Sequence, residues 1–344
     1  MTNDKIYMTK PTTKPISLAL QGGGTHSAFT WGVIDQLLID GRLHIEAISA
    51  TSGGAMIAVI LAQGLHDGGN EGARDLLMKF WRKVSIASSL MPLRMNVVDK
   101  LLGHVGIDLS PSSMALDALT RIFSPYQFNL FDLNPLRGIV AEMVDFDMLH
   151  KKSPVALYIN ATHACTGKST IFGSERLSLD AVMASACLPF IFKTVEVEGE
   201  PYWDGSFSGC PPLSPLTGRE GTNDILLVQV HPSSVEDVPT AAADILDRAT
   251  ELSFHSVLLH ELKAIARDNE LIEAGKLDQP PVHIHCIEAQ DMLASLGRAS
   301  KLKADWDFLI YLHDLGVQAA EDWLAANYDK IGKGSSADFS ALAA

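Results

Sequence analysis

The stretch Ile45–Gly64, IEAISATSGGAMIAVILAQG, constrains the fold more than any other part of the chain. An apolar run, Ile45–Ala50, stops at Thr51-Ser52-Gly53-Gly54, and an apolar helical period begins at once. A serine among tiny residues at a strand-to-helix junction is the layout of a nucleophile elbow. The turn is too tight for large neighbours, so the hydroxyl is pushed out above the sheet edge. The helix over Gly53–Gln63 aims its N-terminus at that hydroxyl. Its free amides and roughly half a positive charge would stabilise an oxyanion formed there. The usual Gly-x-Ser-x-Gly pattern begins here with Ala50, which puts a methyl group where two backbones should pass closely. A plainer use of Ser52 is as a helix N-cap, worth about 1 kcal/mol over alanine.

The flanking sequence repeats the same architecture. Ile16–Gln21 is a short apolar run ending in Gly22-Gly23-Gly24, and Phe29, Val33, Ile34, Leu37 and Leu38 then recur at helical spacing up to a closing Gly41. Two strand–loop–helix units with short connections predict an α/β fold: three layers, a mostly parallel central sheet and helices on both faces. Glu71–Val84 reads as a further helix, and so does the stretch from Asn134-Pro135 to Val144, with Asn134 as its cap. Strands are expected at Val155–Thr162, Ser169–Phe172, Ile225–Val230 and Val282–Ile287, with a hairpin over Val195–Trp203 that turns near Glu198-Gly199 and delivers Asp204-Gly205. Ser178–Cys187 is a short helix. Ala241–Gly275 is a long helical stretch and Asp305–Ile331 an amphipathic helical segment, both open to two uses: closing the core or forming a homodimer face.

The expected organisation is a loose tail over residues 1–15, a catalytic core over 16–232, and a helical part over 233–344. That last part adds one further strand and packs on the same domain. Residues 85–135 read as an excursion capping the site. Within it Ile86–Gly106 is apolar enough, with Met91, Leu93, Met95, Leu101 and Leu102, either to act as a lid or acyl groove or to complete the core.

Composition excludes several classes. A net charge of −14 argues against nucleic acid and against tight binding to anionic membranes. No apolar run reaches the roughly 18–20 residues that span a bilayer, and the polar start, MTNDKIYMTKPTTKP, lacks the apolar region of a signal peptide. Cys165, Cys187, Cys210 and Cys286 are widely spaced without a CxxC pair, which fits a cytoplasmic protein with free thiols.

The glycine run precedes a helix, as phosphate cradles do, but the dinucleotide pattern Gly-x-Gly-x-x-Gly fails at Ser27. The other reading is an oxyanion hole, in which backbone amides receive the charge of a tetrahedral intermediate. Asp204-Gly205 alone is an ordinary turn. His231 and His163 each end a strand, and the order Ser…Asp…His leaves either open as a third triad member. His283 and His285 alternate on one strand face and resemble a metal pair, without a carboxylate cluster to support it.

Four blocks, Gln21-Gly22-Gly23-Gly24, Ala50-Thr51-Ser52-Gly53-Gly54, Ala184-Ser185-Ala186-Cys187-Leu188-Pro189 and Asp204-Gly205, occur in the order seen in patatin-like phospholipases. The stretch WDGSFSGCPPL after the hairpin is similar to that family's Asp-Gly and diproline segment. The resemblance spans residues 16–232. It implies the patatin-like fold and a lipid acyl hydrolase (phospholipase A or lysophospholipase-like) working through a Ser–Asp dyad and an acyl-enzyme, with no cofactor or metal. Ser52 matches the nucleophile, Asp204 the general base, and Gly22, Gly23 and Gly24 the oxyanion donors, joined by Gly53 at the helix start. The implied partner is an acyl-ester lipid, reached by transient contact with a membrane surface. An acyltransferase with the same dyad, or a lipid- or nucleotide-binding protein with a decayed site, are the alternatives. Ala50, His26, Ser27, Ser206 and Cys210 depart from the family's usual residues.

Overall fold

The computed structural model describes residues 13–90, 123–232, 234, 235, 237–289, 293, 300, 301 and 303–337. Most of the tail and the stretch 91–106 of the expected lid lie outside these residues. Five strands form a continuous parallel ladder in the order β3 (Ala156–His163), β2 (Leu43–Thr51), β1 (Lys14–Leu20), β7 (Asp224–Gln229) and β8 (His283–Glu288). β4 (Ser169–Gly173) and the hairpin of β5 (Val195–Val197) and β6 (Glu200–Asp204) add antiparallel pairs at the β3 end. The hairpin turns through Glu198 and Gly199, both at positive φ.

Alternation along the central strands builds two cores. Leu18, Leu20, Ile48, Ala50, Leu226 and Val228 face one side, packed under α1 (Ser27–Asp40) and α2 (Gly53–Leu90). Ala19, Ala47, Ile225 and Leu227 face the other. Because both faces are buried, these strands read as unbroken apolar runs. The later chain covers both. α7 (Ala242–Glu273) lays Leu258, Leu262 and Ile265 on the second face, and α8 (Trp306–Asn327) adds Leu309, Leu312, Trp323 and Leu324 to the first. Of the two uses open to the long helices, closing the core is the one observed. α8 crosses α1 closely because Gly32 lies against the His313 carbonyl and Gly316 against the Phe29 carbonyl, leaving no room for a Cβ.

The elements match the sequence reading with four differences, one of them a short helix at Pro125–Phe128 that was not expected. The helix behind Ser52 and the one expected at Glu71–Val84 are two arms joined at Gly68-Gly69, whose backbone angles are not helical. The second arm runs on to Leu90, so Ile86–Leu90 is helix. A helix at Phe146–Lys152 (α5) was not expected. It follows the short α3 (Pro125–Phe128) and α4 (Pro135–Met143), and Asp145 caps it by accepting from the Met148 amide. α6 (Leu179–Ser185) falls at the expected Ser178–Cys187.

The chain enters the sheet at its centre, builds β2 and β3 on one side, and later β7 and β8 on the other. Such a reversal opens a crevice beyond the carboxyl ends of the strands. β1 and β2 both end there.

Candidate active site

β2 ends at Thr51, α2 starts at Gly53, and Ser52 between them has φ +55°. A non-glycine residue in the left-handed region is uncommon and marks a turn held by its surroundings. Two contacts hold it. The Ser52 N–H donates to Ser185 Oγ at 2.9 Å. A Cβ on Gly54 would lie 2.5 Å from the Leu20 carbonyl oxygen, so the helix start fits only with glycine. Ala50, by contrast, is fully buried and its methyl belongs to the core shared with Leu20 and Ala55. The methyl expected to crowd the elbow is a packing contact.

Register brings the other parts to Ser52. Leu20 pairs with Ala50, so Gln21 and Gly22 run on level with Thr51 and Ser52. A Cβ on Gly22 would stand 2.6 Å from Ser52 Cβ, which makes glycine obligatory there. Asp204 arrives along β3. Both β2 and β4 pair with Tyr158–Asn160, so they occupy opposite edges; β4 and β6 both pair with Ala161 and Thr162. β6 therefore follows β2 along the same edge. Thr51 lies opposite Asn160 and Asp204 opposite Ala161, one step past the end of β2.

The Asp204 loop is stitched in place by buried polar side chains. Thr162 Oγ1 donates to the Asp204 carbonyl (2.8 Å), Asn160 Nδ2 to the carbonyls of Gly205 (2.8 Å) and Gly209 (3.0 Å), and Thr51 Oγ1 to Gly209 (2.9 Å). Asp204 itself has no solvent exposure. Oδ1 accepts from the Ser206 amide at 2.9 Å, while Oδ2 has no hydrogen-bond partner among the described residues. Burial raises the carboxyl pKa from 3.8 to about 6, against the pull of the Ser206 amide and the Ser52 and Ser206 hydroxyls. Ser52 is thus within electrostatic reach of Asp204, with the hydrogen bond between them not formed. Such bonds are commonly long in unliganded sites and tighten around substrate.

The glycines divide by role. The Gly22 backbone lies against Cys210 and lowers its thiol pKa against the effect of burial. The amides of Gly23, Gly24 and Gly53 donate to no described residue. Gly24 has φ +57°. Gln21 Oε1 accepts from the amides of Val230 (2.8 Å) and His231 (2.9 Å), tying the loop to the end of β7.

His231 is buried beside this loop, and burial, then the Lys301 charge, pushes its pKa down to about 3; His26 is held at about 3 for the same two reasons. Both are neutral at pH 7. His26 Nε2 meets Ser300 Oγ at 2.7 Å, and His163 pairs with Glu200 on β6. No described hydrogen bond joins His231 or His163 to Ser52 or Asp204. His283 and His285 both meet Asp224 Oδ1, at 3.3 and 3.0 Å, and no metal-like cluster of three ligands occurs among the described residues. Burial raises the thiols of Cys187 and Cys210 to about 12, so neither is a nucleophile at neutral pH. Sequence reasoning gave no role to Ser185, Asn160 or Thr162. The Ala184-Ser185 block was the only signal for the first, and a polar residue at alternate positions of a buried strand was the signal for the others.

These features define the class. The sequence profile of patatin-like phospholipases matches residues 18–217, more than half of the chain. The protein belongs to the patatin-like phospholipase family. Among solved structures it is similar to VipD from Legionella pneumophila, with 15% identity, TM-score 0.43, and coverage of 92% of this chain and 67% of that one. The type III effector ExoU is similar at 14% identity and TM-score 0.37, covering 92% of this chain and 53% of ExoU. The chain thus spans about two thirds of VipD and about half of ExoU. No curated protein matches the sequence.

Proposed function

We propose that this protein is a serine esterase of acyl-ester lipids, using Ser52 as nucleophile and Asp204 as its base. Family membership supports lipid hydrolysis. The observation that carries the dyad is Asp204: buried, fixed through Oδ1, with Oδ2 free beside a serine in a strained turn. A carboxylate with a pKa of about 6 is ionised at pH 7 and still basic enough to share a proton in the transition state.

In the first step Ser52 Oγ bonds to the ester carbonyl carbon and its proton passes to Asp204 Oδ2. The carbonyl electron pair moves onto oxygen, where the amides of Gly23, Gly24 and Gly53 receive it. Gly22 gives the space that lets the loop approach Ser52. Collapse breaks the ester C–O bond, and the leaving alcohol takes the proton from Asp204. Water, deprotonated by Asp204, then attacks the acyl-Ser52 ester and releases the fatty acid. Every proton taken is returned, so the residues present complete the cycle.

A groove of about 300 Å³ at the β3–β6 end of the sheet, whose lining includes His163, Ala164, Pro189, Phe190, Trp203 and Phe207 but neither Ser52 nor Asp204, is apolar enough to take an acyl chain. No helix among the described residues is long and apolar enough to cross a membrane. Substrate is met by transient contact with a lipid surface, neutral or zwitterionic given the charge of −14. Four free cysteines suit a reducing, cytoplasmic setting.

Intact mass after exposure to a fluorophosphonate tests the reading. One adduct on Ser52, absent from Ser52→Ala, together with fatty acid released from a phosphatidylcholine vesicle, is expected. Labelling that survives Ser52→Ala would sink the assignment.

A further inference from the structure

The glycine loop is held from an unexpected quarter. Thr25 Oγ1 donates to the Lys301 carbonyl at 2.6 Å, and that same carbonyl sits where a Cβ on Gly24 would come within 2.7 Å. The next residue, His26, meets Ser300 Oγ at 2.7 Å. Two consecutive loop residues are therefore gripped by two consecutive residues about 275 positions later. Ser300 and Lys301 lie beyond the stretch that matches the family.

The grip is itself anchored. Lys301 Nζ donates to Asp247 Oδ2 at 2.9 Å and to Glu251 Oε1 at 2.7 Å, one turn apart on α7. Glu251 is buried and also accepts from Arg248, whose guanidinium bonds the Pro232 carbonyl just after β7. A connected set of hydrogen bonds thus runs from α7 through Lys301 to the loop.

Two roles are open to a lysine beside an oxyanion loop: adding positive charge, or fixing backbone. Asp247 and Glu251, both within 3 Å, offset the ammonium, and the charge that remains is already felt at His26 and His231, so an oxyanion would receive only part of it. Fixing is the stronger need. Three consecutive glycines are costly to order, and an error of about 1 Å in a catalytic group can cost roughly a hundredfold in rate. Resting on the esterase reading above, we propose that Lys301 is a positioning residue. Clamped by Asp247 and Glu251, it holds Thr25, and through Ser300 His26, so that the Gly23 and Gly24 amides stay aimed at the reacting carbonyl.

The test uses the full chain and three variants: Lys301→Met, Lys301→Arg and Thr25→Val. Hydrogen exchange of the peptide spanning residues 20–28 reads the loop directly. Exchange there should quicken about tenfold or more in Lys301→Met and Thr25→Val, with the rest of the sheet unchanged. On a short soluble ester both variants should lose about tenfold or more in kcat, with KM within about twofold, and Lys301→Arg should recover most of the loss. Thr25→Val keeps every charge and decides the matter if Lys301→Met does not fold. Unchanged loop exchange, a loss confined to KM, or a loss that arginine does not rescue would overturn the proposal. If the wild-type chain hydrolyses no ester, the esterase reading fails, and loop exchange still decides whether the clasp exists.

Discussion

The two strand ends that meet at the site are held in different ways. The elbow after β2 is held by contacts from within residues 20–185: a positive φ at Ser52, a glycine at position 54 that lets the helix start pass the β1 carbonyls, and Ser185, 133 positions on, under the Ser52 amide. The loop after β1 has almost no support of its own. Its bonds go to Val230 and His231 through Gln21, and to Ser300 and Lys301 through Thr25 and His26. A strained turn persists where its surroundings hold it, and a single buried hydrogen bond and one close backbone approach do so here. A run of glycines cannot hold itself, because each one enlarges the unfolded ensemble and offers no side chain to pack. Distant chain must supply the order.

This contrast can be tested on the elbow side, beginning where the effect is largest. Ser52→Ala and Asp204→Asn should each reduce ester hydrolysis by about three to six orders of magnitude, and the double variant should be little worse than either alone, because the pair acts as a unit. Steady-state rates on one soluble ester test whether the proposed pair acts in this way. Near-normal turnover in Asp204→Asn, with loss in His231→Ala, would transfer the base to the histidine.

Ser185→Ala comes next. It leaves the buried Ser52 amide without its acceptor, and should cost about 1–3 kcal/mol of stability and about ten- to a hundredfold in acylation rate. Loop exchange at residues 20–28 should stay as in the wild type. A quickened glycine loop in this variant would mean that the two strand ends are not independently held.

The pH dependence is a smaller and more specific reading of Asp204. Activity should rise with pH through a midpoint near 6, since the base must be ionised. Stability runs the other way for this group. Its pKa is 3.8 unperturbed and about 6 folded, so the native state binds the proton more tightly than the unfolded chain. That contribution is fullest below pH 4, declines as pH rises from 4 to 6, and is lost above. Asp204→Asn should therefore raise unfolding free energy at pH 8 by up to about 3 kcal/mol and have little effect at pH 4. His26 and His231, with pKa values lowered to about 3, lose stability in the opposite sense, as pH falls below 6.5. The comparison with Asp204→Asn at each pH cancels their share. Equal denaturation midpoints for the two proteins at pH 8 would show that the carboxylate is not buried as described.

Ala50→Gly should be the mildest. Its methyl is part of the core, so removal should cost about 1–2 kcal/mol through lost burial and added backbone freedom, with turnover within about twofold. A large gain in turnover would restore the idea that alanine strains the turn.

Much of this arrangement was written in short range. Runs such as Ile45–Ala50 and Ile225–Val230 announced strands buried on both faces, Gly41 and Asn134 marked helix ends, and Glu198-Gly199 marked the hairpin. The elbow was legible as a compact motif, and Asp204 only through the ordered blocks of the family resemblance, since Asp-Gly alone reads as a turn. Other features were not. Asn160 and Thr162 look like interruptions in an apolar strand until the Asp204 loop lies against them. Lys301 looks like one more surface lysine until Asp247, Glu251 and Thr25 converge on it.

The sequence by itself determined what local sterics and periodicity control: which segments are strands and helices, where the backbone must turn sharply, and which serine and aspartate stand at strand ends. Tertiary structure alone decided the rest. It set β6 after β2 along one edge of β3, which brings Asp204 within reach of Ser52. It buried that carboxylate, and so moved its pKa to about 6. It also carried residues 300 and 301 back to the glycine loop. Desolvation and long-range hydrogen bonds depend on which surfaces meet in space, and spacing along the chain carries no record of that meeting.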